Sequence, residues 1–164
     1  NAPEFLRVPE PLIQKQFSRI MSLKDGLKKM SKSDPSDLSR INLTDSKDEI
    51  VNKIKKAKTD PLPLPKNIDE LVERPEAENL LGIYSSLKNQ SLQNSIDDFS
   101  GKNFSEFKIE LSDVLVEKIE PISKKIKELL NDEKYLDTIL LEGSKKADIV
   151  ASKKIKEIKE LVGF

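Results

Sequence analysis

"FSEFKIELSDVLVEKIEPISKKIKELL", residues 104–130, carries apolar side chains at the three- and four-residue spacing of one helix face. The apolar positions are Phe104, Phe107, Leu111, Leu115, Ile119, Ile122, Ile126 and Leu129. Pro121 lies inside this pattern, where a proline is expected to kink a helix rather than to end it. We therefore expect one long helix at the centre of a mainly helical fold.

A second helix is predicted from Asp45 onward. Asp45 can cap its start, and Ile50, Ile54 and Ala57 share one face. The three prolines of "TDPLPLP", residues 59–65, are expected to end that helix and to form a stiff connector.

Further helices follow the connector. The apolar stripe of residues 76–88 predicts one helix, and Ser91 is placed to cap a short one that stops at Gly101. A segment over residues 132–142 comes next, and Gly143 is expected to separate it from a last helix. The residues expected to face inward on that helix are Ala147, Val150, Ala151, Ile155 and Ile158, with Leu161 and Val162 at its end.

The first forty residues differ from the rest. Short apolar runs at residues 5–8 and 20–23 predict short strands or extended edges, and "SRINLT", residues 39–44, predicts another extended piece. The predicted fold class is therefore mainly α, a helical bundle that follows a short α/β remnant.

Composition excludes several kinds of chemistry. The chain has 164 residues, enough for one ordinary domain, and its 29 basic residues balance 29 acidic ones, so no strong net field draws a partner. Without cysteine there are no disulfides, thiolate zinc sites or cysteine nucleophiles, and without histidine there are no Ser-His-Asp triads. No apolar run is long enough to span a bilayer. Because the chain begins with Asn1 and not methionine, we expect it to be part of a longer polypeptide.

"DGLKKMSKSDPS", residues 25–36, is the strongest candidate site. Lys29 and Lys32 supply positive charge, and Ser31 and Ser33 supply small hydroxyl donors. A polyphosphate in mid-reaction concentrates negative charge on its leaving group, which mobile ammonium groups and hydroxyls stabilise. The sequence therefore predicts a loop that closes on a triphosphate.

The residues around these donors fit the same interpretation. Gly26 and Pro35 bracket the segment, so that it could move as a unit. Met30 is a flexible apolar side chain that could lie against an adenine edge.

Other candidate sites are weaker. The five glycines form neither GxGxxG nor a phosphate-loop motif. Neighbouring carboxylates at residues 97–98 and 132–133 are read as solvated surface. Two basic runs are candidate RNA patches. They are Lys53, Lys55, Lys56 and Lys58, and the set Lys145, Lys146, Lys153, Lys154, Lys156 and Lys159.

Residues 29–33 read KMSKS, the signature of class I aminoacyl-tRNA synthetases. The stretches "VPEPLI", "RIMSLKDGLKKMSKSDPS", "SRINLTDSKDEIVNKIKKAKTD", "NLLGIYSSL" and "EGSKKADIVASKKIKEIKELVGF" resemble the bacterial-type tryptophanyl-tRNA synthetase family. The resemblance covers the whole chain but only the later half of such an enzyme. It implies that residues 1–43 are the C-terminal part of a Rossmann catalytic domain with the KMSKS loop. Residues 44–164 would be the helical domain that meets the tRNA anticodon region.

The resemblance also implies an activity. Tryptophan would be activated with ATP to tryptophanyl-adenylate and transferred to tRNA(Trp), with magnesium carried on the ATP phosphates. Ile20 would lie against adenine through its backbone, the segment from Lys29 to Ser33 would close on the phosphates, and Lys32 would stabilise the leaving pyrophosphate. Arg40 and Asn42 lie in a matching stretch with no assigned role.

The same resemblance implies a homodimer in the cytoplasm, with no membrane association. The chain alone is expected to be inactive, because the HIGH-like motif and the tryptophan pocket belong to the earlier half. Two alternatives stay open: the sister enzyme for tyrosine, and a non-enzymatic helical RNA-binding module.

Overall fold

A computed structural model describes residues 5–6, 8–13 and 17–163. Its strands are β1 (Met21–Ser22) and β2 (Asp25–Lys29). Its α-helices are α1 (Lys47–Lys56), α2 (Pro75–Lys88), α3 (Leu92–Phe99), α4 (Phe104–Leu130) and α5 (Glu133–Val162). Short 3-10 turns cover Asp37–Ser39 and Ile68–Leu71. The predicted mainly helical class is confirmed. The chain divides into two compact units, residues 1–120 and 121–164.

The core of the first unit is built on α4, as the sequence predicts. Phe107 and Leu111 are fully buried, and Leu115 is nearly so. The rings of Tyr84 and Phe99 meet Phe107 edge to face, with centroids 5.8 and 4.8 Å away. Such aromatic contacts add to the gain from buried apolar area, so this cluster ties α2, α3 and α4 together.

Helix α1 begins one residue later than predicted, and its cap is Ser46, not Asp45. The Ser46 hydroxyl accepts from the Glu49 amide, and the Ser46 amide donates to the Glu49 carboxylate at 2.7 Å, which makes a capping box. Asp45 is instead buried, where its carboxylate meets Lys53. The expectation that Asp45 caps the helix is therefore wrong, because a better cap stands beside it.

The proline-rich connector, residues 59–65, is packed into the first unit. Leu64 is buried, and its amide donates to the Lys102 carbonyl at 2.9 Å. Arg74 holds the carboxylate of Asp60 with two hydrogen bonds of 3.0 and 2.7 Å. The connector therefore ends α1 as expected, and it also contributes to the core.

Helices α2 and α3 follow the sequence closely. Ser91 caps α3 by accepting from the Asn94 amide at 3.1 Å, and Gly101 follows with a φ of +70°. This left-handed conformation is the one that glycine adopts without a steric penalty. Both predictions for this region are confirmed.

The extended region is smaller than predicted. Residues 20–23 supply only the two-residue strand β1, which pairs antiparallel with β2, and no strand forms in the described part of residues 5–8. Residues 39–44 hold no strand either: Arg40 is extended, and a turn follows at Leu43 and Thr44. Without a neighbouring strand in the described chain, these short apolar runs have no ladder to join.

Gly26 does not begin the loop, as its position suggested, but lies inside β2. A Cβ atom there would come within 2.7 Å of backbone atoms of both Pro75 and Glu76. Glycine is therefore required for the close approach of the hairpin to the start of α2.

We expect Gly26→Ala to destabilise the hairpin by about 1–3 kcal/mol, because the added methyl overlaps backbone that cannot move aside alone. Gly143→Ala is the matched control. Its Cβ would meet nothing within 4 Å, so it should stabilise α5 by about 1 kcal/mol through helix propensity. Hydrogen exchange of peptides from the hairpin and from α5 measures both. Equal protection of the Gly26→Ala and wild-type hairpins would contradict the packing argument.

In the second unit, the helices are longer and more exposed than predicted. Helix α4 runs through Pro121, as expected, but α5 also runs through Gly143, so the predicted break is wrong. No described residue of α5 is buried, and Val150 is 72 % exposed. The expected inner face of this helix is therefore largely exposed, with Ile158 half-buried, because an apolar stripe is buried only where another surface covers it. Ile122, the first residue of the α4 stripe after Pro121, is exposed too.

A search of the described helices for a membrane span found none with the required length and apolar character.

Candidate functional site

The candidate loop leaves the hairpin at the end of β2. Lys29 is the last residue of that strand, and the Met30 amide donates to the Ile20 carbonyl at 3.0 Å. Met30 is half-buried and packs against the core. The structure therefore brings Ile20 next to the start of the loop, although Ile20 stands one residue before β1 and not on the strand.

The two serines organise the loop itself. Their hydroxyl oxygens lie 3.0 Å apart, and the Ser33 amide donates to the Ser31 hydroxyl at 3.3 Å. The Asp34 amide donates to the Ser31 carbonyl at 3.3 Å. These hydrogen bonds fold residues 31–34 into a turn whose hydroxyls face solvent together.

The two lysines of the motif are exposed, and neither makes an ion pair or a side-chain hydrogen bond with any residue that the structure describes. Lys28, one residue earlier, is different, because it pairs with Asp25 at 3.2 Å. The ammonium groups of Lys29 and Lys32 are thus free to meet an external anion. Two mobile cations beside two hydroxyls can neutralise a polyphosphate.

A network of five polar residues lies where the chain leaves the loop. We call it the loop-base network, and it consists of Asp37, Arg40, Asn42, Asp45 and Lys53. The Lys53 ammonium lies 2.7 Å from Asp37 and 2.6 Å from Asp45. The Asn42 side chain donates to the same two carboxylates, at 3.0 Å each. The network therefore connects the 3-10 turn after the loop to helix α1.

Electrostatics in this network favour the charged forms. Burial alone lowers the pKa of Lys53, but the hydrogen bonds and charges of Asp37 and Asp45 outweigh it and raise that pKa above its ordinary value of 10.5. The hydrogen bonds from Lys53 and Asn42 hold the pKa of Asp37 below its ordinary value. Lys53 is therefore a buried cation held by two carboxylates.

The entrance to the loop is fixed by α2. The Asn79 side-chain amide accepts from the Met21 amide at 2.8 Å and donates to the Met21 carbonyl at 2.9 Å, so it pairs with β1 as a strand would. Glu76 accepts from the Gly26 amide and from Lys58, at 3.4 and 2.8 Å. The hydrogen bond from Lys58 lowers the pKa of Glu76, which keeps this carboxylate charged.

The basic runs are only partly available to RNA. In the first run, Lys53 is 2 % exposed, and Lys58 is exposed but pairs with Glu76, so Lys55 and Lys56 are the two exposed lysines of this run that make no ion pair with a described residue. The prediction that Lys53 belongs to an RNA patch is wrong, because its charge is used inside the fold. In the second run, Lys154 pairs with Glu157, and Lys156 lies 4.0 Å from Glu160.

The neighbouring carboxylates at residues 97–98 and 132–133 are exposed, as expected. Asp132 caps α5 by accepting from the Tyr135 amide at 3.0 Å. Across the described residues, no three acidic side chains are grouped closely enough to hold a metal ion.

Sequence reasoning missed the residues that hold the loop. It gave Arg40 and Asn42 no role and read Lys53 as surface. One signal was available: by helical spacing, Lys53 lies on the same face as Ile50, Ile54 and Ala57, which was expected to be buried. A lysine at such a position is buried only when it is paired. The partners Asp37 and Asp45 could not be found from spacing alone, because the turn that brings them together has no regular period.

Comparison with known proteins places residues 1–120 in the family described as tRNA synthetases class I (W and Y). A protein of Caulobacter vibrioides named tryptophan–tRNA ligase is 49 % identical over 164 residues, which is 100 % of this chain and 48 % of that protein. Its namesake in Rickettsia conorii is 51 % identical over 161 residues, 98 % of this chain and 48 % of that protein. The chain thus spans about half the length of the curated relatives it matches.

A solved structure gives the same result. The crystal structure of tryptophanyl-tRNA synthetase from Mycoplasma pneumoniae superimposes with a TM-score of 0.81 at 26 % identity. The match covers 99 % of this chain and 49 % of that one. The arrangement of hairpin, loop and helices described above is therefore similar to one half of that protein.

Proposed function

Because the chain belongs to the class I tRNA synthetases of the tryptophan and tyrosine family, we propose that it is the C-terminal part of a tryptophan–tRNA ligase. The observation that carries this proposal is the KMSKS loop, in which Lys29 and Lys32 are exposed and make no ion pair with a described residue, on a loop whose two ends are held. The relatives that carry the tryptophan name support the choice of amino acid.

In the proposed reaction, a carboxylate oxygen of tryptophan attacks the α phosphorus of MgATP. The bond from that phosphorus to the bridging oxygen breaks, and pyrophosphate leaves with the extra negative charge. The Lys32 ammonium stabilises this charge as it develops, while Lys29 and the hydroxyls of Ser31 and Ser33 hold the phosphates. A terminal hydroxyl of tRNA(Trp) then attacks the tryptophanyl carbonyl carbon and gives up its proton. An ester bond forms, the bond from the carbonyl carbon to the phosphate oxygen breaks, and AMP leaves.

The loop geometry supports these roles. An exposed ammonium that makes no ion pair within the described part of the chain gives up no such pair when it meets a phosphate. The Ile20 backbone lies beside Met30, so a nucleotide held by the loop would find Ile20 within reach. Magnesium enters with the ATP phosphates as part of the substrate. We also propose that the full-length protein is a homodimer in the cytoplasm.

Two alternatives predict different results. A ligase for tyrosine would share this fold, because the matched family includes both enzymes. It would activate tyrosine and not tryptophan. A helical RNA-binding module would bind RNA through α1 and α5 but would make no use of ATP.

We expect Lys32→Ala in the full-length protein to slow adenylate formation about a hundredfold, equal to about 3 kcal/mol, since one well-placed charged donor is lost from the transition state. ATP binding should weaken far less, because the contact is made mainly in the transition state. Lys32→Arg should recover little, since a planar guanidinium does not replace a compact ammonium. Pre-steady-state adenylation at saturating ATP and tryptophan measures the rate.

Lys28→Ala is the control, since Lys28 is also an exposed lysine but lies four residues earlier, in β2, and pairs with Asp25. Its rate constant should stay within about twofold of wild type, as for an exposed surface substitution. An unchanged rate for Lys32→Ala would remove the proposed role of the loop. Activation of tyrosine in place of tryptophan would favour the first alternative, and no activation of either amino acid would favour the second.

A further inference from the structure

The exit of the KMSKS loop is held through its backbone by one side chain. One terminal nitrogen of Arg40 donates to the carbonyls of Asp34 and Ser36, at 2.9 and 3.3 Å. The Arg40 side chain is only 18 % exposed, and its Nε donates to the Asn42 side chain at 3.1 Å. A planar guanidinium with several donors in fixed directions sets the path of the chain as it leaves the loop.

Asp37 joins this guanidinium to the buried lysine. One of its carboxylate oxygens lies 3.2 Å from Arg40 and accepts from the Asn42 side chain, while the other lies 2.7 Å from Lys53. Lys53 in turn is held by Asp45 at 2.6 Å. A continuous series of charged contacts therefore runs from the loop backbone to the interior of α1.

The entrance and the exit of the loop are held by different helices. Helix α2 holds the hairpin through Asn79 and Glu76, and α1 holds the exit through Lys53. Lys32 lies between these two attachments, and its side chain makes no hydrogen bond or ion pair with any of the residues that the structure describes. The position that its ammonium reaches is thus set by the two ends of a short segment.

We propose that Asp37, Arg40 and Lys53 are positioning residues, which hold the exit of the loop so that Lys32 meets the leaving pyrophosphate. The inference rests on the proposed function, because it assigns these residues an effect only through Lys32. A catalytic group works when the parts that support it hold it within a fraction of an ångström. Releasing the exit would let the loop close in many arrangements, of which few place the ammonium correctly.

The variant that tests this is Asp37→Ala in the full-length protein. The Asp37 side chain is 57 % exposed, Lys53 keeps its buried partner Asp45, and Arg40 keeps its hydrogen bonds to Asp34, Ser36 and Asn42, so the fold should persist. We expect the single-turnover rate constant of adenylation to fall about tenfold, since displacing a catalytic group by about 1 Å costs up to a hundredfold. The dissociation constant of ATP should change less than about threefold.

Two further variants accompany it. Asp37→Asn keeps an oxygen that can accept from Lys53 or Arg40, so it should recover part of the lost rate. Asp48→Ala removes an exposed carboxylate from the first turn of α1, away from the network, and should leave the rate constant unchanged. Hydrogen exchange of α1 establishes that each variant is folded.

A double-variant cycle with Lys32→Ala separates positioning from a general structural effect. If Asp37 acts through Lys32, Asp37→Ala should cost less than about twofold when Lys32 is already alanine. If the full tenfold loss persists in that background, or if Asp37→Ala alone leaves the rate unchanged, the inference is overturned. Failure of the proposed function looks different, because the wild-type protein would then form no tryptophanyl-adenylate, and this inference would fall with it.

Discussion

Leu111→Asp is expected to unfold the helical core of the first unit. Leu111 is fully buried in α4, next to the aromatic cluster of Phe107, so a carboxylate at this position would be removed from water. Burying an unpaired charge, together with the loss of leucine packing, should remove about 4 kcal/mol or more of the free energy of unfolding. That is a large fraction of the stability of an ordinary domain.

Hydrogen exchange in the full-length protein measures this effect locally. Amides of α2, α3 and α4 should lose protection together, because these helices share the core. Ile109→Asp is the matched control, since Ile109 lies two residues earlier on the same helix and is 64 % exposed. It should change protection little. Equal protection of both variants would mean that Leu111 does not belong to the core.

Lys53→Met is the second large effect. It removes the buried cation and leaves the Asp45 carboxylate, which is 6 % exposed, without its charged partner. Breaking a buried pair from one side costs about 3–5 kcal/mol, because the remaining charge stays desolvated. We expect the opening free energy that hydrogen exchange measures for α1 to fall by about 3–5 kcal/mol. Lys56→Met, an exposed lysine of the same helix, should have little effect.

A double variant identifies the cause of the loss. Lys53→Met with Asp45→Asn leaves a neutral amide that can still accept from Asn42, so it should recover more than half of the lost stability. A double variant no more stable than Lys53→Met would show that the loss comes from packing and not from a stranded charge.

The pH dependence of the stability that the Lys53 ion pairs supply follows from the directions of the pKa shifts of Lys53 and Asp37. The pKa of Lys53 is raised in the folded protein, so its contribution is complete below about 10.5 and is lost as the pH rises through the folded value. The pKa of Asp37 is lowered, so its contribution is present above 3.8 and is lost as the pH falls through the folded value. The difference in free energy of unfolding between wild type and Lys53→Met should therefore be constant near neutral pH and should become smaller at strongly acidic and strongly basic pH.

Much of the first unit could be predicted from its sequence, because strong local signals agreed with the packing there. The long α4 stripe, the Ser91 cap and the glycine at 101 each have one physical interpretation. The start of α1 was misplaced by one residue because Asp45 and Ser46 are both good caps. The serine spaced three residues before Glu49 was the deciding signal.

The second unit was predicted less well. Gly143 was expected to break a helix, but a glycine costs only about 1 kcal/mol in a helix interior, which a 30-residue helix such as α5 tolerates. The apolar stripe of α5 was expected to be buried. Helical spacing identifies such a face, but it does not say whether the chain at hand contains the surface that covers it.

For the candidate site, the sequence predicted the residues that would meet a ligand and missed those that hold them. The KMSKS residues form a continuous motif, so they can be read directly. The loop-base network joins positions up to sixteen residues apart through side chains, and only the folded chain brings Asp37 to Lys53.

The turn formed by Ser31 to Asp34 has a consequence for how the protein can change. Its hydrogen bonds are local, and the side chains of Lys29, Ser31, Lys32 and Ser33 project into solvent, so the core does not depend on their identity. Selection can therefore adjust the chemistry of these four positions without a loss of foldedness. The residues of this turn and those of the core are separate sets, so the turn can vary while the core is kept, whereas Lys53 is needed both by the fold and by the proposed positioning of the loop.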